Sequence, residues 1–191
     1  MSEVCNTLTM SMEKDSGFTL VELLITIIVV SVLLAVGVPS FKEFIKNNRL
    51  TAQSSELVIA LQLARNEAVK RHSAATICAS TTQTSCNVTD SDWTHGWIIF
   101  SDLNQDATPD LGTNACLETE DCIMRTSKGL SGNNTLTANT NQLLFYPTGL
   151  VRSSDVPAAF TLTADKCHNN QVRNITVNVQ GHTTISKAPC P

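Results

Sequence analysis

Charge is scarce in this chain, and so are the residues that interrupt regular structure. Only 16% of its 191 residues are Asp, Glu, Lys or Arg, and it holds eight glycines and six prolines. Disorder over most of the length needs far more Pro, Gly or net charge, so it is excluded. A formal charge of -4 lacks the basic excess of a dedicated nucleic-acid binder, although a local basic patch stays open. Catalytic signatures are missing too: there is no Gly-x-Ser-x-Gly elbow, phosphate-cradling glycine loop or dinucleotide fingerprint. Cys-x-x-Cys and Cys/His zinc spacings are absent, and His72, His95, His168 and His182 each stand alone. Nothing in the pattern asks for a cofactor or a resident metal, and nothing requests an enzyme.

What the chain does have is one long apolar run. Phe18 to Val38 reads FTLVELLITIIVVSVLLAVGV, with Glu22 as its single charge. As a helix rising ~1.5 Å per residue, it spans ~30 Å, the hydrocarbon core of a bilayer. Three readings compete. A signal peptide is supported by the small residues of Ala35-Val36-Gly37. Against it, the run is long and Glu3, Glu13 and Asp15 outnumber Lys14 ahead of it. A plain signal anchor explains the length but gives no reason for Glu22. A carboxylate within a membrane helix costs a few kcal/mol unless it is paired or reaches the interface.

The third reading supplies a partner. Gly17-Phe18-Thr19-Leu20-Val21-Glu22 resembles the leader junction of type IV pilins and type II secretion pseudopilins. The resemblance implies that a prepilin peptidase removes residues 1–17, cutting after Gly17 and methylating Phe18. It further implies that Glu22 pairs with the N-terminal amine of a neighbouring subunit during assembly. Electrostatics agrees, because cleavage creates the cation that an intramembrane carboxylate lacks, and a low dielectric strengthens their attraction. Pro39 stands at the pilin-like position just past the run.

Beyond Pro39 a helical pattern resumes, with Leu50, Leu57, Leu61, Ala64 and Ala68 forming an apolar stripe. Gln53, Glu56, Gln62, Arg65, Glu67 and Lys70 are assigned to the other faces. Residues 18–73 therefore read as one long helix, of which 18–38 crosses the membrane. Residues 74–191 change to Thr, Ser and Asn with short β-rich runs, and read as a β-rich head. Strands are expected at 75–79, 96–101, 122–126, 142–146, 159–163, 172–179 and 183–186, the last two joined through Gln180-Gly181-His182. The fold class expected is α+β: a long N-terminal helix packed on an antiparallel sheet or small sandwich, a pilin-like plan.

Seven cysteines are many for this length. Cys5 falls in the leader, leaving an even set in the head. Proximity suggests Cys78–Cys86, Cys116–Cys122 and Cys167–Cys190, although spacing alone permits other connectivities. Such pairs place the head where thiols oxidise, and each short loop adds about 2–3 kcal/mol in the chain-entropy view.

Motifs in the head narrow the family. Gly96-Trp97 with Phe100 and Asp102, Leu144-Phe145-Tyr146-Pro147-x-Gly149, the Ala64-Arg65-Asn66-Glu67-Ala68 stretch and the hairpin around Gly181 resemble the FimT/FimU and GspH group. That resemblance implies a structural role as a minor pilin of a type IV pilus that primes assembly and occupies the filament tip. Its implied partners are major and minor pilins, the prepilin peptidase, the inner-membrane assembly platform and, before assembly, membrane lipid. Its implied location is the bacterial inner membrane with a periplasmic head, then the pilus. The resemblance leaves two alternatives. One is a GspH-type pseudopilin of a type II secretion system. The other is a FimT-like pilin that captures DNA through Gly-Arg-x-Arg on the last hairpin. Here those positions read Gly181-His182-Thr183-Thr184, leaving Lys166, Arg173 and Lys187 as a modest patch opposed by Asp165. Losing the leader removes three acids and one base, so the formal charge moves only from -4 to -2.

Two further features are weighed against plain structure. Asp102, Asn104 and Asp106 alternate as calcium loops do, but Ala107 and Thr113 stand where an EF-hand carries Gly and Glu, which favours a solvated turn. Trp97 alternates into an apolar strand and belongs in the core, whereas Trp93, between Asp90, Asp92 and Thr94, is expected at the surface.

Overall fold

The computed structural model describes residues 17–87, 89–110 and 120–191. The chain divides into two units, the first ending at Glu43 and the second running from Phe44 to Pro191. One helix, α1 (Leu20–Arg71), contributes to both.

In the first unit α1 begins at a cap. The Thr19 hydroxyl accepts the Glu22 N–H at 3.2 Å, and the Thr19 carbonyl accepts the Leu23 N–H at 3.1 Å. Every residue from Leu20 to Ile45 is exposed within this single chain, Pro39 included. Among the described residues α1 is the one helix long and apolar enough to cross a membrane. Its two hydroxyls between Leu20 and Val38 are already satisfied: Thr26 donates to the Leu23 carbonyl at 2.8 Å and Ser31 to that of Ile28 at 2.7 Å. A lipid-facing helix needs this, because hydrocarbon offers no alternative partner.

In the second unit the same helix acquires a buried face. Leu50, Gln53, Ser54, Leu57, Ala60, Leu61, Ala64 and Ala68 lie inward at steps of three and four. The expected stripe is all there. Gln53, expected on another face, is buried as well, since its position lies between Leu50 and Leu57 on the same side. Its amide is satisfied, donating to the Ser131 carbonyl at 3.0 Å and accepting from the Asn134 amide at 2.7 Å. The alanines every four residues from Ala60 to Ala68 keep that buried face free of bulk.

Two four-stranded antiparallel sheets complete the head. The first runs in the order β3 (Cys122–Lys128), β2 (Gly96–Ser101), β1 (Ala75–Ala79), β5 (Gln142–Phe145). The second runs β4 (Thr135–Ala138), β6 (Ala158–Thr163), β7 (Val172–Val177), β8 (Thr183–Ala188). Leu57 and Leu61 of α1 join Ile77, Trp97, Ile99, Leu143, Phe145, Phe160 and Ile175 in one core. Period-two alternation sends Cys78, Ile98 and Phe100 to the opposite face of the first sheet, where Cys86 and Ile123 pack over them. The Cys78–Cys86 disulfide brings Cys86 onto that face. The second sheet alternates cleanly along β6, buried-exposed, and its edge strand β8 is largely solvated.

The α+β plan is therefore the one expected, with differences that have physical reasons. The seven anticipated strands are present with ends shifted by up to two residues, and β4 is additional. Its one buried apolar residue, Leu136, owes its place to pairing with Leu162 of β6 across a polar stretch. Trp93 corrects the surface expectation. It is fully buried, its ring edge-on to Phe160 at 5.0 Å between centroids and its indole N–H donated to the Thr140 carbonyl at 2.9 Å. The backbone bridge between Asp92 and Thr137 draws it in, leaving the flanking carboxylates outside. The Cys167–Cys190 disulfide is also formed. Cys116, expected to pair with Cys122, and Thr113 of the calcium-like loop lie outside the described residues.

Candidate functional site

The residues to which the sequence assigns assembly chemistry lie at the start of α1. Gly17 and Phe18 precede the helix and are exposed, and Glu22 is the acid of the first turn. The Thr19-x-x-Glu22 spacing is also a capping signature, which sequence reading had not used. A carboxylate there interacts favourably with the N-terminal dipole by about 0.3–1 kcal/mol. That is smaller than the few kcal/mol that placing a carboxylate within hydrocarbon costs. Capping alone thus leaves Glu22 short of a sufficient partner.

The three cations proposed as a basic patch do not present together. Arg173 is buried, because residues 173, 175 and 177 share the inward face of β7. Its guanidinium donates to the carbonyls of Asn170 at 2.9 Å and Val172 at 3.0 Å, and burial pushes its pKa below the usual arginine value. Lys166 and Lys187 are exposed. The expected patch is therefore corrected to two exposed lysines, with Arg173 organising the 167–171 turn.

The calcium-like loop is a network of turns. Asp106 accepts from the Thr108 N–H at 2.7 Å, and the Asn104 amide donates to Asp106 at 2.9 Å and to Asp110 at 3.0 Å. Among the described residues no cluster of His, Cys, Asp or Glu is placed to hold a metal. Asp102 does different work: it is fully buried and accepts from the Thr76 hydroxyl at 2.7 Å and the Ala107 N–H at 3.0 Å. Its second oxygen has no partner among the described residues. Burial, opposed by the Thr76 and Ala107 bonds, raises its pKa above the ordinary aspartate value, with Asp121 and Asp106 adding to the rise.

Three motifs separated in sequence meet at one side chain, Arg65. Its Nε donates to the Gly149 carbonyl at 3.0 Å, and its aliphatic stem lies against Gly181. Gly149 closes a turn through its N–H to Tyr146, and Gly181 closes the β7–β8 turn through its N–H to Asn178. Both glycines have positive φ, +79° and +72°, and a Cβ on either would crowd Arg65 at about 3 Å. Nearby, Arg152 pairs with buried Asp155 at 3.0 Å, and Asp155 accepts the Leu144 N–H, which fixes the strand leading into the Tyr146–Gly149 turn. Arg65 was legible only as one letter of the helix motif. A cation inside an otherwise packing-directed stretch was the available signal.

Comparison with known proteins agrees with this architecture. A family model described as Type II transport protein GspH matches residues 53–181, and one described as Prokaryotic N-terminal methylation motif matches residues 12–38. No curated protein sequence matches the chain. The crystal structure of the type IV minor pilin FimU of Pseudomonas aeruginosa, in space group P21, is 21% identical with a TM-score of 0.53. It covers 75% of this chain and 92% of its own. A second crystal form of FimU, in P65, gives 21% identity and a TM-score of 0.50, covering 71% of this chain and 91% of that one. The minor pseudopilin EpsH from the Type 2 Secretion System of Vibrio cholerae is 11% identical, with a TM-score of 0.47, covering 73% and 97%. At 21% identity the likeness to FimU speaks to fold alone. Because the family match runs from the buried face of α1 at Gln53, through strands β1 to β7, to the turn at Gly181, the chain belongs to the GspH family of pilin-like minor pilins and pseudopilins.

Proposed function

We propose that this chain is a minor pilin that primes assembly of a type IV pilus, held in the inner membrane by α1 until it enters the filament. Prepilin peptidase cuts after Gly17 and methylates Phe18, and Glu22 then pairs with the terminal amine of a neighbouring pilin. The head stands in the periplasm, where its disulfides form. At the filament it takes a position at or near the tip. One observation carries this reading: Glu22 is the single charge of an otherwise apolar run whose side chains find no cover within the chain. Mass spectrometry of the protein from its native host tests it. A polypeptide beginning at methylated Phe18 is expected, whereas one retaining residues 1–17, or beginning beyond Gly37, overturns it.

A second reading is favoured by the family description itself, Type II transport protein GspH. The same processing and pairing would then serve a short periplasmic pseudopilus. Cross-linking from the head in the native host separates the two: capture of pilus subunits supports the first, and capture of secretion pseudopilins the second.

A further inference from the structure

Between α1 and the β7–β8 turn lies an open recess of about 460 Å³. Gln62, Arg65 and Asn66 line it from the helix, and Gln180, His182 and Thr183 from the turn. Their spacing at i, i+3 and i+4 puts the helix contribution on one face, turned toward the hairpin. No acidic side chain lines the recess. Arg65 has no carboxylate within ion-pairing distance among the described residues, and its one recorded bond is through Nε to Gly149. A half-buried guanidinium without a counter-charge among the described residues therefore faces a polar cavity.

We infer that this recess binds a carboxylate side chain presented by an acidic peptide segment of a partner protein. A guanidinium is a planar fork of donors that matches a carboxylate in two parallel hydrogen bonds. Gln62, Asn66 and Gln180 offer both donors and acceptors, as the flanking peptide backbone of such a segment needs. The volume lies within the usual range of ligand cavities and admits a side chain with its neighbouring backbone. The recess holds a single permanent cation. Nucleic-acid affinity grows with the number of phosphates neutralised, so one guanidinium selects a singly charged group over a polyanion. The two glycines pinned against Arg65 preorganise it, which spares the ordering cost that a free surface arginine incurs on binding. This inference does not rest on the assembly reading, because it involves neither the leader nor Glu22.

The test uses the full chain in detergent micelles, labelled with ¹⁵N-arginine, so that the Nε–H of Arg65 is observed directly. Its resonance is assigned by its disappearance in Arg65→Lys. The probes are acetyl-Gly-Glu-Gly-amide, its Gln twin and a short DNA duplex. The glutamate peptide is expected to move the Arg65 signal saturably while the glutamine twin leaves it in place. Gln62→Glu, an exposed helix change that supplies a competing carboxylate one turn away, is expected to weaken the glutamate peptide about tenfold or more without unfolding the head. The inference is overturned if both peptides act alike, if neither moves the signal, or if Gln62→Glu leaves the affinity unchanged. It is equally overturned if the duplex moves the signal at moderate salt and the glutamate peptide does not.

Discussion

From Leu20 to Val38 every apolar side chain of α1 stands exposed, whereas from Leu50 to Ala68 eight residues of the same helix are buried. Backbone geometry is common to both stretches, and so is the taste for Leu, Val, Ile and Ala. They differ in who supplies the cover. The later stretch presents a stripe matched to two sheets of its own chain. The earlier one is apolar all round, which suits a solvent of lipid or neighbouring helices and no single partner face. Helical character thus says little about where stabilisation comes from; the angular distribution of apolar side chains says much more.

The sharpest way to break the comparison is Glu22→Leu, which makes the earlier stretch wholly apolar. Incorporation into filaments is expected to be lost while the buried indoles of Trp93 and Trp97 report an unchanged unfolding midpoint. Normal incorporation in shed filaments would sink the pairing model. In the later stretch Leu57→Ala removes a fully buried side chain and should cost the head about 2–5 kcal/mol, read as a lowered denaturant midpoint in micelles. Replacing Cys78 and Cys86 together by serine opens the loop that their disulfide closes. The expected loss is about 2–3 kcal/mol by the same fluorescence measurement.

Smaller effects sharpen the contrast. Asp102 has a folded pKa raised above its unfolded value, so its penalty is absent below the ordinary aspartate range and grows as pH rises through the folded value. Asp102→Asn keeps an acceptor for Thr76 and Ala107 and removes the charge. It should flatten the decline of head stability across that window, and an unaltered pH profile of the midpoint would contradict this. Val29→Ala, in the uncovered stretch, should leave the midpoint within about 0.5 kcal/mol, the scale of ordinary surface changes.

Much of this was legible in advance because local pattern and tertiary role coincide. The stripe from Leu50 to Ala68 and the alternation through Trp97 each follow a single period to its buried face. Trp93, Gln53 and β4 were not legible, and for a shared reason: each is polar or flanked by polar residues, and is buried by a partner distant in sequence. Leu136 needs Leu162, Trp93 needs Phe160 and Thr140, and Gln53 needs Asn134 and Ser131. The Arg65 recess belongs to the same class. Its two walls come from the helix and the last hairpin, and no spacing rule connects them. The residues proposed for assembly are the opposite case, since Gly17, Phe18 and Glu22 lie within one short motif and their proposed role needs no tertiary partner in the chain to be read.

The cap at Thr19 carries one more consequence. A chain trimmed after Gly17 would begin one residue ahead of that cap, so its new ammonium would sit at the pole where the helix's own free amides already point outward. Like charges then crowd one tip, and the carboxylate one turn along the same rod offsets them only by its weak interaction with that pole. Under the proposed pairing, relief comes from the carboxylate of a second rod displaced lengthwise. On this view the stagger between adjoining subunits is set by how a single helix starts.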